Sequence, residues 1–317
     1  GRSGFFRGGA RALASRTAAP VSAGRGSLLI LLAAMLWGTT GTAQALAPVG
    51  ATPLAVGTLR LAVGGGALVL VSALRGTLHV RHWRHPAALL AAAGVAGYQA
   101  SFFGGVARTG VAVGTLVAIG SAPVIAGIVE TFLSGRRPAP RWWAATGTAI
   151  AGSALLLAGD GGWNADAAGV LLAVTAGASF AVYTVASKSL LQRLSPDAAI
   201  ATTFFTGALV LSPVLFTADF RWALEPRGLA VALHLGLVAT ALAYVLYVRG
   251  LTGVTAAAAA TLTLAEPMTA GLLSALVLGE RLAPLSYFGA AMVLVALVML
   301  SLPDRGQRRA DVPAARS

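Results

Sequence analysis

The chain has 317 residues, 57% hydrophobic and 10% charged, with a mean hydropathy of +0.80. Soluble domains average about 45–50% apolar and ~25% charged residues. Lys and Arg number 23 against 10 Asp and Glu, a net charge of +13, and cysteine is absent. These figures exclude an ordinary soluble enzyme, a disordered chain and a nucleic-acid module. They also exclude disulfides, thiolate nucleophiles and cysteine metal sites. The apolar residues fall in long blocks, so the expected fold is all-α: a polytopic membrane protein.

Residues 1–26 are rich in Gly, Ala, Ser and Arg, carry no acid, and read as a disordered basic cytoplasmic arm. Ten apolar segments follow, at 27–47, 54–74, 87–106, 111–133, 141–158, 167–188, 198–217, 229–250, 255–278 and 284–302, and a polar cytoplasmic tail at 303–317. Each segment is long enough to cross a ~30 Å hydrocarbon core as a helix. Prolines such as Pro53, Pro86, Pro140, Pro196, Pro226 and Pro284 mark many segment starts, where the missing N–H costs little. With the N-terminus in the cytoplasm, eighteen of the 23 basic residues lie inside. Four lie outside (Arg108, Arg221, Arg227 and Arg281), and Arg60 is inside a span. This bias sets the topology and matches anionic lipid on the cytoplasmic side. Trp83, Trp142, Trp143, Trp163 and Trp222 sit near the interfaces, while Trp37 is mid-span. The single lysine, with abundant Arg, Ala and Gly, suggests a GC-rich bacterial genome and an inner-membrane location. The basic start, the apolar run from Leu28 and Ala45-Leu46-Ala47 also fit a cleavable secretory signal. Loop charge does not separate the two, but an internal repeat favours retention of the first span.

That repeat has an offset of 144 residues: Thr109-Gly110-Val111 echoes near Thr252-Gly253-Val254, Pro123 matches Pro267, Gly135 matches Gly279, and Ala139-Pro140 matches Ala283-Pro284. Segments four and five thus correspond to nine and ten. Five is odd, so the second half enters the membrane inverted, an arrangement many secondary transporters use. The expected units are residues 27–158 and 159–302.

The order of Leu36-Trp37-Gly38, Arg60, Pro123, Glu266-Pro267 and Gly279-Glu280-Arg281 across ten spans resembles the EamA-type transporters of the drug/metabolite transporter superfamily. The resemblance implies a ten-helix inverted-repeat carrier that exports or exchanges small metabolites, amino acids among them. One departure is Ser134-Gly135-Arg136-Arg137, which has no acid after the glycine where the second half has Glu280.

Pro123 and Pro267 are each the thirteenth residue of their segment, near mid-membrane. A proline there frees the carbonyl four residues back, that of Ile119 or Thr263, and matching helix breaks point to a central site. A plain packing kink is the other reading. Glu266 lies beside Pro267; a mid-membrane carboxyl is costly unless paired or facing water, so it is a candidate for proton coupling or for a substrate ammonium. Arg60 and Glu266 lie about 9 and 18 Å from the outer ends of their spans at ~1.5 Å per residue. A zwitterion could bridge them; alternatively Arg60 snorkels to headgroups or pins helices together. Trp37, Gln99, Tyr183 and Tyr244 are further candidates for the substrate wall. Glu130 and Glu280, at helix ends, read as loop or gate structure.

His79, His82 and His85 are interleaved with Arg81 and Arg84, and a basic lipid-facing loop explains them better than a metal site. Gly177-Ala178-Ser179-Phe180-Ala181 lacks the last glycine of a nucleophile elbow. No cofactor motif occurs, and no catalytic residues or metal ligands are expected. The expectation is therefore a carrier with a small-molecule substrate and no nucleic-acid partner, in a sequence that leaves room for a homodimer. An intramembrane lipid-modifying enzyme and a passive channel or assembly subunit are the alternatives.

Overall fold

A computed structural model describes residues 21–135, 137–157, 166–279 and 283–301. Most of the expected basic arm, Trp163, Glu280-Arg281 and the polar tail lie outside the described residues. Within them there are helices and no strand. The helices are α1 (Ala23–Ala45), α2 (Pro53–Leu74), α3 (Pro86–Thr109), α4 (Val111–Ser134), α5 (Pro140–Leu157), α6 (Ala167–Leu190), α7 (Pro196–Phe216), α8 (Pro226–Leu251), α9 (Ala256–Leu278) and α10 (Pro284–Ser301). Nine of them are long and apolar enough to cross a membrane. The tenth, α5, has 18 residues and opens on Pro-Arg-Trp-Trp.

Helix ends follow local chemistry. Thr52, Ser195 and Thr255 accept from the N–H groups of Ala55, Ala198 and Ala258, capping α2, α7 and α9. His85 Nδ1 accepts from Ala87 at the start of α3, so this histidine serves as a cap. Beside it, burial, with His79 and Arg81 nearby, lowers the proton affinity of His82. At the far ends of α4 and α9, Gly135 and Gly279 take left-handed φ values of 68° and 72°, which glycine adopts without strain. The matching glycines of the repeat are thus matching caps.

Helix neighbours obey the repeat. The pairs α3–α6, α4–α6 and α3–α7 have counterparts in α8–α1, α9–α1 and α8–α2 when each helix is exchanged for the one five places along. The pairs α2–α7, α5–α10 and α4–α9 map onto themselves. This is a two-fold relation between two five-helix halves, and the odd helix number makes the halves inverted. Two groups result: α1, α2, α8 and α9, and α3, α4, α6 and α7.

The two-fold relation fails where α4 meets α9. Helix α9 is interrupted at Thr263-Leu264, between Ala256–Leu262 and Ala265–Leu273. Before the interruption it packs on α4 and α6, through Ala126, Ala181 and Ala260. Ile119 and Leu264 meet at mid-helix. Beyond it, α9 follows α1, and among the described residues α4 makes no comparable contact with that part of α9 or with α1. The bundle is therefore closed at the end carrying the α8–α9 turn and splayed at the end carrying the α3–α4 turn. By contrast α4 runs through Pro123 without interruption, so the expected pair of breaks is a single one, at Pro267.

Glycine lets the helices approach. At the α5–α10 crossing a Cβ on Gly152 would lie 2.7 Å from the Gly289 carbonyl, and one on Gly289 2.5 Å from the Gly152 carbonyl. Gly26 and Gly250 make such a crossing between α1 and α8, and Gly105 and Gly169 make its counterpart between α3 and α6. Gly289→Val should therefore cost about 1–3 kcal/mol or more through overpacking. In detergent its thermal unfolding midpoint should fall by several degrees. Gly147→Ala, at a helical position with open space around it, should leave the midpoint unchanged or raise it.

Candidate functional site

Halfway along the bundle, Arg60 and Leu61 of α2, Gly94, Val95, Tyr98 and Gln99 of α3, Phe180 and Tyr183 of α6, Phe204 of α7 and Tyr244 of α8 line a small cavity. Both helix groups contribute to it. The wall is an aromatic net. The Tyr244 ring lies 4.3 Å from Phe204 and 4.7 Å from Trp37, and Phe180 lies 6.0 Å from Tyr98. Tyr98 stacks on Phe102 at 5.3 Å. Below it, the buried Tyr247 hydroxyl pairs with Thr184 Oγ1 at 2.8 Å, joining α8 to α6.

Four of the residues singled out from the sequence, Arg60, Gln99, Tyr183 and Tyr244, line this cavity. Trp37 stands behind Tyr244 as its support, with its indole Nε1 buried and unpartnered among the described residues. Gln99 is held from behind by a hydrogen bond of 3.4 Å to the Gly57 carbonyl. Pro123 and Pro267 are buried in helix packing and do not line the cavity. Tyr98, Phe180 and Phe204 were missed. Phenylalanines in apolar spans carry no periodic or charge signal, and Tyr98 gave only its adjacency to Gln99.

Pro267 favours the break in α9, although α4, continuous through Pro123, shows that a proline alone does not force one. A continuous helix would press the proline ring against the Thr263 carbonyl and leave that carbonyl without its N–H donor. Instead the Thr263 carbonyl accepts from Glu266 N at 2.9 Å, and the Thr261 carbonyl accepts from Leu264 N at 3.0 Å. Both are tighter, three-residue bonds. The chain thus re-satisfies its backbone where water is absent. This places Glu266 in the first turn of the second half-helix, where a carboxylate suits the helix dipole. Its side chain is partly exposed. Gly38 of α1 lies against it; a Cβ there would be 2.8 Å from the Glu266 carbonyl.

Glu266 backs on α1 at Gly38, next to Trp37, whose ring lies 4.7 Å from Tyr244 of the cavity wall, so the carboxyl-bearing segment and the Arg60 cavity are neighbours. Among the described residues no ion pair joins Arg60 to Glu266, and the buried Arg60 Nε has no hydrogen-bond partner. A guanidinium without an acceptor inside a protein is costly unless something else supplies one. The arrangement can bind an anionic group at Arg60 and a cationic group at Glu266, with aromatic faces between.

The aromatic floor depends on the Thr184–Tyr247 bond. Thr184→Val leaves the Tyr247 hydroxyl buried without a partner and should cost about 1–3 kcal/mol. Thr184→Val combined with Tyr247→Phe should recover most of that loss. A double-mutant cycle on thermal unfolding checks it, and additive single losses would show that the bond does not couple the helices.

Known proteins support the same architecture. The chain is 48% identical over 285 residues, 90% of its length and 96% of the other's, to the uncharacterized transporter YwfM of Bacillus subtilis. It is 28% identical over 187 residues, 57% of its length and 61% of the other's, to the threonine/homoserine exporter RhtA of Escherichia coli K12. A solved crystal structure with 23% identity superposes with a TM-score of 0.75 over 90% of this chain and 98% of that one. The model of the EamA-like transporter family matches twice, at residues 24–158 and 167–302. The chain belongs to the EamA-like transporter family, with one family unit in each half of the bundle.

Proposed function

We propose that this transporter is a secondary carrier of a bacterial inner membrane, both termini cytoplasmic, that exports or exchanges small zwitterionic metabolites such as amino acids by alternating access. The observation that carries the reading is the Arg60 guanidinium, unpartnered among the described residues, in an aromatic cavity. A substrate carboxylate takes the charge-assisted bonds that Arg60 lacks. The substrate ammonium faces Glu266 and the Tyr98 and Tyr244 rings. The similarity to RhtA, an exporter of threonine and homoserine, supports the substrate class. The excess of basic residues in the segments at the closed end supports a cytoplasmic position for it. Glu266 is the candidate proton carrier, being the carboxyl at mid-span among the described residues, although it does not itself line the cavity. Binding and rocking account for the site's residues without a catalytic step.

Counterflow of labelled amino acids in proteoliposomes tests this reading. The wild type should show saturable exchange, and Arg60→Ala should lose about tenfold or more of it, the worth of a charge-assisted bond. Glu266→Gln should retain exchange but lose its response to a pH gradient. A full pH response in that variant would remove Glu266 from coupling, and uptake that never saturates would make the protein a channel.

A further inference from the structure

At the closed end three charged side chains cross from one helix group to the other. Glu130, near the end of α4, accepts from the backbone N–H groups of Ala257 at 2.9 Å and Ala256 at 3.4 Å, the first residues of α9. Lys188, near the end of α6, donates from Nζ to the carbonyls of Val254 and, at 3.1 Å, of Leu251, where α8 ends. Asp197, in the first turn of α7, holds Arg75 at 2.6 Å and Arg249 at 3.1 Å, from α2 and α8. The α8–α9 turn is thus gripped at both of its helix ends. A carboxylate sits on the positive N-terminus of α9 and an ammonium on the negative C-terminus of α8, the favourable sense for each dipole. An exposed ion pair alone would contribute little. Glu130 and Lys188 are part-buried at these contacts, and each bonds orphan backbone groups of a helix end.

Among the described residues the charged positions of this lock are not repeated at the opposite end. Shifted by the repeat offset of 144, Glu130 falls on Ser274, Lys188 on Gln44 and Asp197 on Pro53, none of them charged. The ionic contacts seen at that end do not span the two groups. Arg108–Asp166, at 3.4 Å, joins α3 to α6, and Arg227 Nε donates at 2.5 Å to the Leu46 carbonyl, joining α8 to α1. Both pairs of helices already pack together within one group.

We propose that Glu130, Lys188 and Asp197 form an ionic lock on the α8–α9 turn, and that its release is the step that opens the closed end. Its place in a transport cycle rests on the alternating-access reading, but the lock itself is testable without any substrate. The lock biases the carrier toward the state splayed at the α3–α4 end. Opening at the other end removes Glu130 from the α9 amides and Lys188 from the α8 carbonyls, so those groups must find water or new partners. Between lock and cavity lies Ala260, fully buried against Ala126 and Ala181. It is a seam that must part when this end opens.

The cysteine-free chain makes the experiment direct, since one introduced thiol is the only thiol. A260C is labelled with a water-soluble maleimide in nanodiscs, in the wild-type background and with Lys188→Gln, Glu130→Ala or Asp197→Asn. A173C, buried against α3 and α4 inside one helix group, serves as the control. A260C labelling should rise about tenfold in the Lys188 and Glu130 variants, less in Asp197→Asn, with Lys188→Arg close to wild type and A173C still protected. Unchanged A260C labelling in both leading variants would overturn the lock. A parallel rise at A173C would overturn it too, by showing general loosening. Failure of amino-acid counterflow would strike the proposed substrate class and leave the labelling result standing.

Discussion

A hydrocarbon layer supplies no water to an orphaned carbonyl or amide, and that constraint shapes the centre of this protein. At Thr263-Leu264 the α9 backbone leaves the regular helical ladder, and two three-residue hydrogen bonds take the place of the ladder that Pro267 prevents. Those bonds redirect the rest of the helix. Up to the break α9 belongs with α4 and α6; after it, α9 follows α1. The same step sets Glu266 in the first turn of a new helix segment, with Gly38 allowing α1 against its backbone. The interruption at Thr263-Leu264 therefore marks both the splay of the bundle and the position of its mid-span carboxyl.

Much of this was legible in the residues. Span number and boundaries came from apolar blocks and prolines, because lipid enforces length and composition on every crossing. The inverted repeat came from glycine and proline pairs, and Gly135 and Gly279 prove to be matching left-handed caps. Arg60, Gln99, Tyr183 and Tyr244 stood out as polar groups at membrane depth, where the cost of burial makes an idle polar residue rare. Two kinds of feature were hidden. Phe180 and Phe204 are indistinguishable in sequence from lipid-facing phenylalanines, since only the fold decides which way an apolar side chain points. The differing fates of Pro123 and Pro267 were hidden as well. Both remove the same backbone bond, yet α4 continues and α9 breaks; the proline alone does not set the outcome, and nothing in the structure explains why α4 tolerates it.

Comparing the halves position by position shows where they stop being copies. Their crossings align at shifts of 143 to 145 residues, as the contacts of Gly26 and Gly105 with Gly250 and Gly169 show. On that alignment Trp37 corresponds to Phe180, Gln99 to Tyr244 and Arg60 to Phe204. All six belong to the cavity or to its immediate support. The site is thus built from equivalent positions of both halves, which is why it sits at the middle of the bundle. The charges do not repeat: Glu266 corresponds to Ala122, and Arg60 has an aromatic counterpart.

This inequality has a physical consequence. A carrier made of two identical inverted halves would have its two end states related by symmetry and equal in energy, and its site would hold a polar ligand equally well in two opposed orientations. For the zwitterion proposed as substrate, a single guanidinium on α2 and a single carboxyl on α9 would remove the second degeneracy, because a reversed ligand would meet like charges on both sides. The proposed lock would remove the first, since its charged residues have no charged counterparts at the other end. The scaffold residues, largely glycines and small apolar side chains, keep to the repeat because both end states need the same crossings. Among the positions compared, the charged residues are the ones that leave no charged partner in the other half, while the small residues at the helix crossings need none.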